Sequence, residues 1–143
     1  MATSQRFSVA VHVLALLAKE QGRLLTSDYI AGSVNTNPVV VRRILGRLAK
    51  GRLIRTHAGR QGGFELARPP EEITLRLAYE AVEEGAVISL HPAPNPACPV
   101  GGRITAVLDE VAEDAREAML ERLGRTTLAD LGRRLARPRH RTR

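Results

Sequence analysis

The stretch NPVVVRRILGRLAKG, residues 37–51, decides the fold of this chain. Pro38 suits the first position of a helix, because its missing N–H would have no helical partner there. Four apolar residues then recur at three- and four-residue spacing, which predicts a helix with one buried side. They are Val41, Ile44, Leu45 and Leu48. The outer side of this helix, which ends near Gly51, keeps two valines and several cations.

Two further helices are predicted upstream of this stretch. The first runs from Ser4 to Glu20, because apolar residues recur there with helical spacing. They are Phe7, Val11, Leu14, Leu17 and Ala18. The second helix begins after Thr26, a good N-cap, and runs through Val34. Tyr29, Ile30 and Val34 are expected to face inward. The polar turn of residues 35–37 leads into the third helix, since asparagine tolerates left-handed backbone.

A glycine-rich hairpin is predicted after the three helices. The segment AGRQGG, residues 58–63, lies between two strand candidates, Leu53 to His57 and Phe64 to Ala67. Its three glycines permit a tight reversal, so the pattern predicts a two-stranded ribbon, or wing. Arg60 and Gln61 are expected at the tip of this wing.

The second half of the chain predicts three more elements. Pro69-Pro70 separates the wing from a fourth helix near Ile73 to Glu84, and the prolines of residues 85–101 indicate a loop. A long helix from Gly102 to Leu123 and a short helix from Leu128 to Leu135 follow. The predicted fold class is mainly α with a small β wing. The expected division is a winged helix-turn-helix at 1–84, a proline-rich loop at 85–101, a helical unit at 102–135 and a disordered basic tail at 136–143.

The charges are unevenly distributed. Residues 1–68 carry eleven Lys/Arg against three Asp/Glu, and residues 69–132 carry five against twelve. The last eleven residues add six arginines and no acid. A basic first half is typical of a surface that binds a polyanion. The alternative is that these charges only keep an exposed surface soluble.

Three helices followed by a basic ribbon are typical of proteins that bind duplex DNA, with the third helix in the major groove and the ribbon in the minor groove. Arginine can bind guanine through two hydrogen bonds, and valine can contact thymine methyl groups. The opening of the first helix is expected to offer amides and a cation to a phosphate. The candidate DNA-binding residues are Asn37, Val39, Val40, Arg42, Arg43, Arg47, Arg60, Gln61, Arg6 and Thr26. The alternative is that the arginines of the third helix form only its solvated side.

The sequence lacks the motifs that are typical of enzymes, metal sites, membrane proteins and secreted proteins. The sequence has no GxGxxG, P-loop, HExxH or CxxC pattern, so neither an enzyme nor a metal site is predicted. No apolar run approaches the ~20 residues of a membrane span, and no signal peptide is recognised. With one cysteine, no intrachain disulfide can form, and a cytoplasmic protein is expected. The absence of tryptophan leaves few stacking platforms, which favours duplex over single-stranded nucleic acid.

Several segments resemble the Rrf2 family of winged-helix regulators, which includes IscR, NsrR and CymR. The likeness covers about residues 1–135, and the wing motif is its most specific part. The segments are residues 26–31, 37–50, 59–67, 73–75 and 127–131.

The resemblance implies a homodimer in which the long helix pairs across a two-fold axis. The dimerisation residues would be Ile104, Val107, Leu108, Val111, Met119 and Leu123. Cluster-binding members use three cysteines before that helix, whereas this chain has only Cys98, which cannot hold an iron–sulfur cluster alone. The chain is therefore similar to a cysteine-poor branch without cofactor, and Cys98 is either a redox sensor or an inert thiol.

The sequence thus predicts a sequence-specific, double-stranded DNA-binding regulator, a repressor that acts as a homodimer on a palindromic operator. The alternative is a winged-helix module that binds protein and has lost DNA binding. The effector is not predicted.

Overall fold

A computed structural model describes residues 4–138, and the end of the predicted basic tail, residues 139–143, lies outside the described residues. The predicted fold class is confirmed, since the described residues form helices and a two-stranded antiparallel sheet. The helices and strands are α1 Arg6–Lys19, α2 Ser27–Val34, α3 Pro38–Lys50, β1 Ile54–His57, β2 Gly63–Leu66, a 3-10 turn Pro70–Glu72, α4 Leu75–Val82, α5 Ile104–Leu123 and α6 Leu128–Leu135.

The hydrophobic core lies where α1, α3 and α4 meet. Helix α1 contacts α2, α3, α4 and α6, and α3 also packs on α2, α4 and β1. The apolar side of α3 predicted from its spacing is fully buried, as are Leu14 of α1 and Ala78 of α4. At about 25 cal/mol per Å² of apolar surface, each fully buried leucine contributes roughly 1.5–3 kcal/mol to folding. The core therefore holds α3 with one side inward and one side in water.

The wing is attached to the helical core at its base. Strands β1 and β2 pair antiparallel, with Ile54 opposite Leu66 and His57 opposite Gly63. Leu25, just before α2, forms a further bridge to Phe64, with backbone N···O distances of 2.8 and 3.1 Å. A Cβ atom at Gly63 would lie 2.7 Å from the carbonyl oxygen of Leu25, so glycine permits this close approach.

Helices α4 and α6 are joined through their N-termini. Thr74 and Thr127 pair as an isolated antiparallel bridge, and each side chain caps its own helix. At α6 the cap is reciprocal, because the Asp130 carboxylate accepts from the Thr127 N–H. The same carboxylate also binds Arg133. The hydrogen bond from the backbone N–H of Thr127, and then the one from its side chain, lower the pKa of Asp130.

Helix α5 packs mainly on α4, and Leu120 is its one fully buried residue. The predicted apolar stripe of this helix did not include Leu120. At 1.5 Å per residue the helix is about 30 Å long, and most of its length is exposed. Its apolar residues therefore find few partners within this chain.

Several predicted boundaries shift in the structure. Helix α4 begins at Leu75 rather than Ile73, because residues 70–72 form a separate 3-10 turn and Thr74 is the cap. Helix α5 begins at Ile104 rather than Gly102. The prediction that Tyr29 faces inward is wrong: the residue is 43% exposed, while Ala31 is buried instead.

Arg47 joins α3 to the C-terminal end of α4. Its Nη1 atom donates to the backbone oxygen of Val82 at 3.2 Å and to Oε1 of Glu84 at 3.0 Å. Cations are favourable near the unpaired carbonyls of a helix C-terminus. Arg47 therefore contributes to the packing of two helices.

We predict that Gly62→Ala destabilises the protein by about 1–3 kcal/mol. A Cβ at this position would lie 2.1 Å from the carbonyl oxygen of His57, so the hairpin must distort to accept it. Gly32→Ala in α2 is the control, because no atom lies within 4 Å of its added Cβ. Urea unfolding followed by circular dichroism should show no loss of stability for Gly32→Ala. Equal destabilisation of both variants would contradict the account.

We also predict that Arg47→Ala lowers the free energy of unfolding by about 1 kcal/mol, since a partly exposed charged hydrogen bond is lost. Arg43→Ala, one turn earlier on the exposed side, should change it by less than about 0.5 kcal/mol. The same urea titration measures both variants. An unchanged stability for Arg47→Ala would show that the contact with α4 is not formed in solution.

Candidate nucleic-acid interface

The two helices of the helix-turn-helix are joined by a well-formed turn. Asn35 adopts the left-handed conformation with φ 57° and ends α2 through a hydrogen bond to the carbonyl of Ala31. The Asn37 side chain then caps α3 by accepting from the Val39 N–H at 2.8 Å. These local hydrogen bonds fix the angle at which α3 leaves α2 and leave its first turn in solvent.

The exposed side of α3 is called here the recognition face, and it consists of Val39, Val40, Arg42, Arg43 and Lys50. Val39 and Val40 are 50% and 37% exposed, although both are apolar. Within residues 4–138, no carboxylate lies within salt-bridge distance of Arg42, Arg43 or Lys50. The recognition face therefore presents uncompensated positive charge beside apolar side chains.

The wing places Arg60 and Gln61 at its exposed tip, as predicted. His57 and Glu65 face one another across the strands, with Nε2 and Oε1 3.1 Å apart. Arg60 forms no ion pair in the part of the chain that the structure describes. The cation at the tip thus remains available to an outside anion, while the acid of β2 is held beside a histidine.

Besides Asn37, whose side chain caps α3, three further predicted DNA-binding residues are engaged within the chain. Arg47 does not lie on the free face of α3, because Val82 and Glu84 bind its guanidinium. Thr26 is exposed, but its hydroxyl accepts from the Tyr29 N–H as the cap of α2. Arg6 is partly buried, and its Nε donates to the Ser4 hydroxyl at 3.2 Å.

The opening of α1 also differs from its predicted role in binding a phosphate. The Glu83 carboxylate accepts from the Phe7 N–H at 3.1 Å and from the Ser4 hydroxyl at 2.9 Å. A carboxylate at a helix N-terminus is stabilised by the same N–H groups that would bind a phosphate. The protein's own acid from the end of α4 therefore occupies this anion site.

The sequence did not indicate a cluster at the start of α2. The Arg23 guanidinium lies 5.2 Å from the centre of the Tyr29 ring, and both side chains bind Glu20. Arg52 was also missed: it follows α3 with a left-handed φ of 61° and lines a hollow with Arg55 and Arg68. The excess of arginines over acids in the first half of the sequence indicated a basic surface. It could not show where on that surface each arginine lies.

The long helix carries an exposed apolar face. Val107 and Val111 are 49% and 57% exposed, and Leu108 is also exposed. Of the other predicted dimerisation residues, Ile104, Met119 and Leu123 are partly buried. An apolar group of this kind on a helix is typical of a surface that a partner covers. We call Ile104, Val107, Leu108 and Val111 the apolar face of α5.

Cys98 lies exposed in the loop before α5. Backbone N–H groups of Gly101 and then Val100 hydrogen-bond the sulfur and lower the pKa of this thiol below its ordinary value. The turn is compact, with the Gly102 N–H donating to the Cys98 carbonyl at 2.9 Å. The loop therefore favours the thiolate of Cys98.

The donor atoms present do not match a metal centre. Among the described residues, no group of three or more His, Cys, Asp or Glu is placed to hold a metal ion. An iron–sulfur cluster normally takes four protein ligands, and the chain has a single cysteine. Between residues 4 and 138, no helix combines the length and apolar character that crossing a membrane requires.

Comparison with known proteins places this geometry in a family. The family model Rrf2, described as iron-dependent transcriptional regulator, matches residues 3–134. The chain is similar to the HTH-type transcriptional regulator YwnA of Bacillus subtilis, with 39% identity over 129 residues, 90% of this chain and 95% of the relative. The HTH-type transcriptional regulator Rv1287 of Mycobacterium tuberculosis is 33% identical over 132 residues, 92% of this chain and 81% of the relative.

Solved structures agree with this assignment. A structure described as a DNA-binding protein is 38% identical and has a TM-score of 0.72, covering 88% of this chain and 97% of the other. A transcriptional regulator from Lactobacillus plantarum is 25% identical with a TM-score of 0.80, covering 92% and 89%. CymR of B. subtilis, 22% identical with a TM-score of 0.67 over 94% and 98%, shares the fold. The chain therefore belongs to the Rrf2 family of transcriptional regulators.

Proposed function

We propose that this protein is a sequence-specific, double-stranded DNA-binding repressor that acts in the cytoplasm, without catalytic activity, as a homodimer on a palindromic operator. The observation that carries the proposal is the recognition face of α3, where Arg42 and Arg43 stand exposed and have no carboxylate partner among residues 4–138. A surface with uncompensated guanidinium groups beside apolar side chains suits a groove lined by phosphates, base edges and methyl groups.

The wing supports a second contact with the same duplex. Arg60 at its tip would enter a minor groove, where the negative potential attracts a guanidinium. Leu25 fixes the base of the wing to the segment before α2, so the hairpin and the helix-turn-helix are held by the same backbone hydrogen bonds. Two rigidly joined cationic elements favour duplex DNA over a flexible single strand.

The apolar face of α5 supports the homodimer. Helix α5 contacts α4, and Leu120 in its C-terminal half is fully buried, while Val107 and Val111 are exposed. A second copy that packs its own α5 against this face would bury these side chains, each worth about 1.5–3 kcal/mol when fully covered. A two-fold dimer places two recognition helices about one DNA turn apart, which requires a palindromic operator.

We further propose that the protein works without an iron–sulfur cluster. Cys98 is the single thiolate donor of the chain, and the described residues bring no other set of ligands near it. Its favoured thiolate supports a role in sensing oxidants or electrophiles, and an inert thiol is the alternative. Protein purified anaerobically should show no visible absorption, and a cluster-like spectrum would overturn the cofactor proposal.

Selection of genomic fragments with the purified protein tests the proposed function directly, because it identifies the operator and its neighbouring genes together. Binding should weaken steeply with salt, by about 0.9 log units of affinity per log unit of salt for each phosphate neutralised. A second candidate, a winged-helix module that binds protein, is supported by the acidic surface of α5, which includes Asp109, Glu110 and Glu113. No duplex binding at low salt would favour this module and overturn the repressor.

We predict that Arg43→Ala costs about 1–3 kcal/mol of discrimination at one base pair of the operator, if Arg43 binds a guanine edge. Arg116→Ala is the charge-matched control, because this partly buried arginine lies on α5 and is already paired with Glu113 and Glu117. Fluorescence anisotropy with labelled operator and single-base variants measures the loss. Binding of operator and random duplex by Arg43→Ala at wild-type strength would contradict the assignment.

We predict that Val107→Glu shifts the protein from dimer to monomer at micromolar concentration, since a charge would be buried in the apolar face of α5. Ala106→Glu is the control, because Ala106 is also exposed but lies on the opposite side of the same helix. Sedimentation equilibrium measures both. Dissociation of neither variant, or of both equally, would place the dimer contact elsewhere.

A further inference from the structure

A second cationic surface lies at the end of α5 and along α6, away from the recognition face. Five arginines line one polar hollow of about 410 Å³, together with Asp130 and Thr126. We call it the arginine hollow; its arginines are Arg122, Arg125, Arg133, Arg134 and Arg137. The proposed DNA contact of α3 and the wing uses none of these residues, and α6 packs chiefly on α1 and the 3-10 turn.

The acids near the hollow offset only part of its charge. Asp130 binds Arg133, and its carboxylate is shared with the Thr127 N–H of the α6 cap. Glu121 binds Arg125 at 2.6 Å on an exposed part of the helix. Arg134 and Arg137 have no carboxylate within 4 Å among residues 4–138. Five guanidinium groups thus face two carboxylates.

Favourable interaction with helix ends accounts for part of this arrangement. Arg122 lies in the last turn of α5 and Arg133 and Arg134 in the last turn of α6, where cations interact well with unpaired carbonyls. One or two cations are enough to interact with the unpaired carbonyls of a helix end. This interaction therefore does not explain why five arginines surround one hollow. The residues that follow, 139–143, add no acid. A concentrated external anion would offset the mutual repulsion.

We propose that the arginine hollow binds a small molecule that carries two or more adjacent phosphoryl groups. Guanidinium groups bind phosphoryl oxygens through paired N–H donors, and several of them around a concave surface suit a compact anion with high charge density. A duplex is convex and spaces its phosphates along the backbone, so it fits this hollow less well. The buried Thr126 hydroxyl accepts from Arg122 at 2.9 Å and holds that guanidinium in place.

The hollow is also separate from the apolar face of α5. Arg122 lies eleven residues beyond Val111, or roughly 17 Å along the helix axis. A dimer whose contact is confined to that face would therefore leave the hollow open. Occupation of the hollow by an oligophosphate would offset charge on α6 without blocking the recognition face.

Calorimetric titration of the dimeric protein with inorganic tripolyphosphate at low salt tests the proposal; tryptophan fluorescence cannot serve, because the chain has none. We expect one site per chain, and about tenfold weaker binding for the double variant Arg134→Ala/Arg137→Ala. These two side chains make no hydrogen bond or ion pair among the described residues, so folding should be unaffected. The double variant Arg42→Ala/Arg43→Ala, which removes the same charge from the recognition face, should bind tripolyphosphate like wild type.

Three results would overturn the proposal: no binding of tripolyphosphate, wild-type binding by Arg134→Ala/Arg137→Ala, or equal weakening in both double variants, which would indicate attraction to net charge alone. A parallel titration with a random DNA duplex shows whether the hollow binds the phosphates of DNA rather than a small oligophosphate. If Arg134→Ala/Arg137→Ala loses duplex binding as strongly as it loses tripolyphosphate, the hollow contacts the DNA backbone and the proposal fails. Retained duplex binding supports it.

Discussion

The burial of Val41, Ile44 and Leu48 against the helical core determines which side of α3 faces water. Because a helix has a fixed period, inward placement of these apolar side chains leaves the recognition face outward. The wing depends on the same core, since its base is bridged to Leu25 and packs beside α3. Loss of that packing would allow α3 to rotate and would separate its arginines from the wing.

The local sequence pattern was enough to predict the helices and the hairpin, because these elements are determined by residues close together in sequence. The spacing of apolar residues located α3, a side-chain cap marked the start of α2, and the glycines of residues 59–63 located the wing. Contacts between distant residues were not predictable. Arg47 binds Glu84, and Ser4 binds Glu83, across 37 and 79 residues, and no periodicity carries such information. Tyr29 was misplaced because its ring packs on Arg23 at the surface, which hydrophobicity alone does not reveal.

The charges are arranged as separate surfaces. In the first half two of the three acids are engaged, with Glu20 bound to Arg23 and Glu65 to His57, and no acid pairs with the recognition face or the wing tip among residues 4–138. The exposed acids of α5 lie around its apolar face, which forms the second surface. The arginine hollow concentrates a third group of charges at the far end of α5. Family membership agrees with the first surface, while the second and third are proposals with their own tests.

The central claim is that α3 and the wing of two copies enter the grooves of one duplex. Hydroxyl-radical footprinting on a fragment selected from genomic DNA, combined with interference by methylation of guanine N7, tests it most directly. The account predicts two symmetric protected segments about one helical turn apart, each with interference at a guanine in the major groove and protection in the adjacent minor groove. A single protected segment, or protection without any guanine interference, would contradict it.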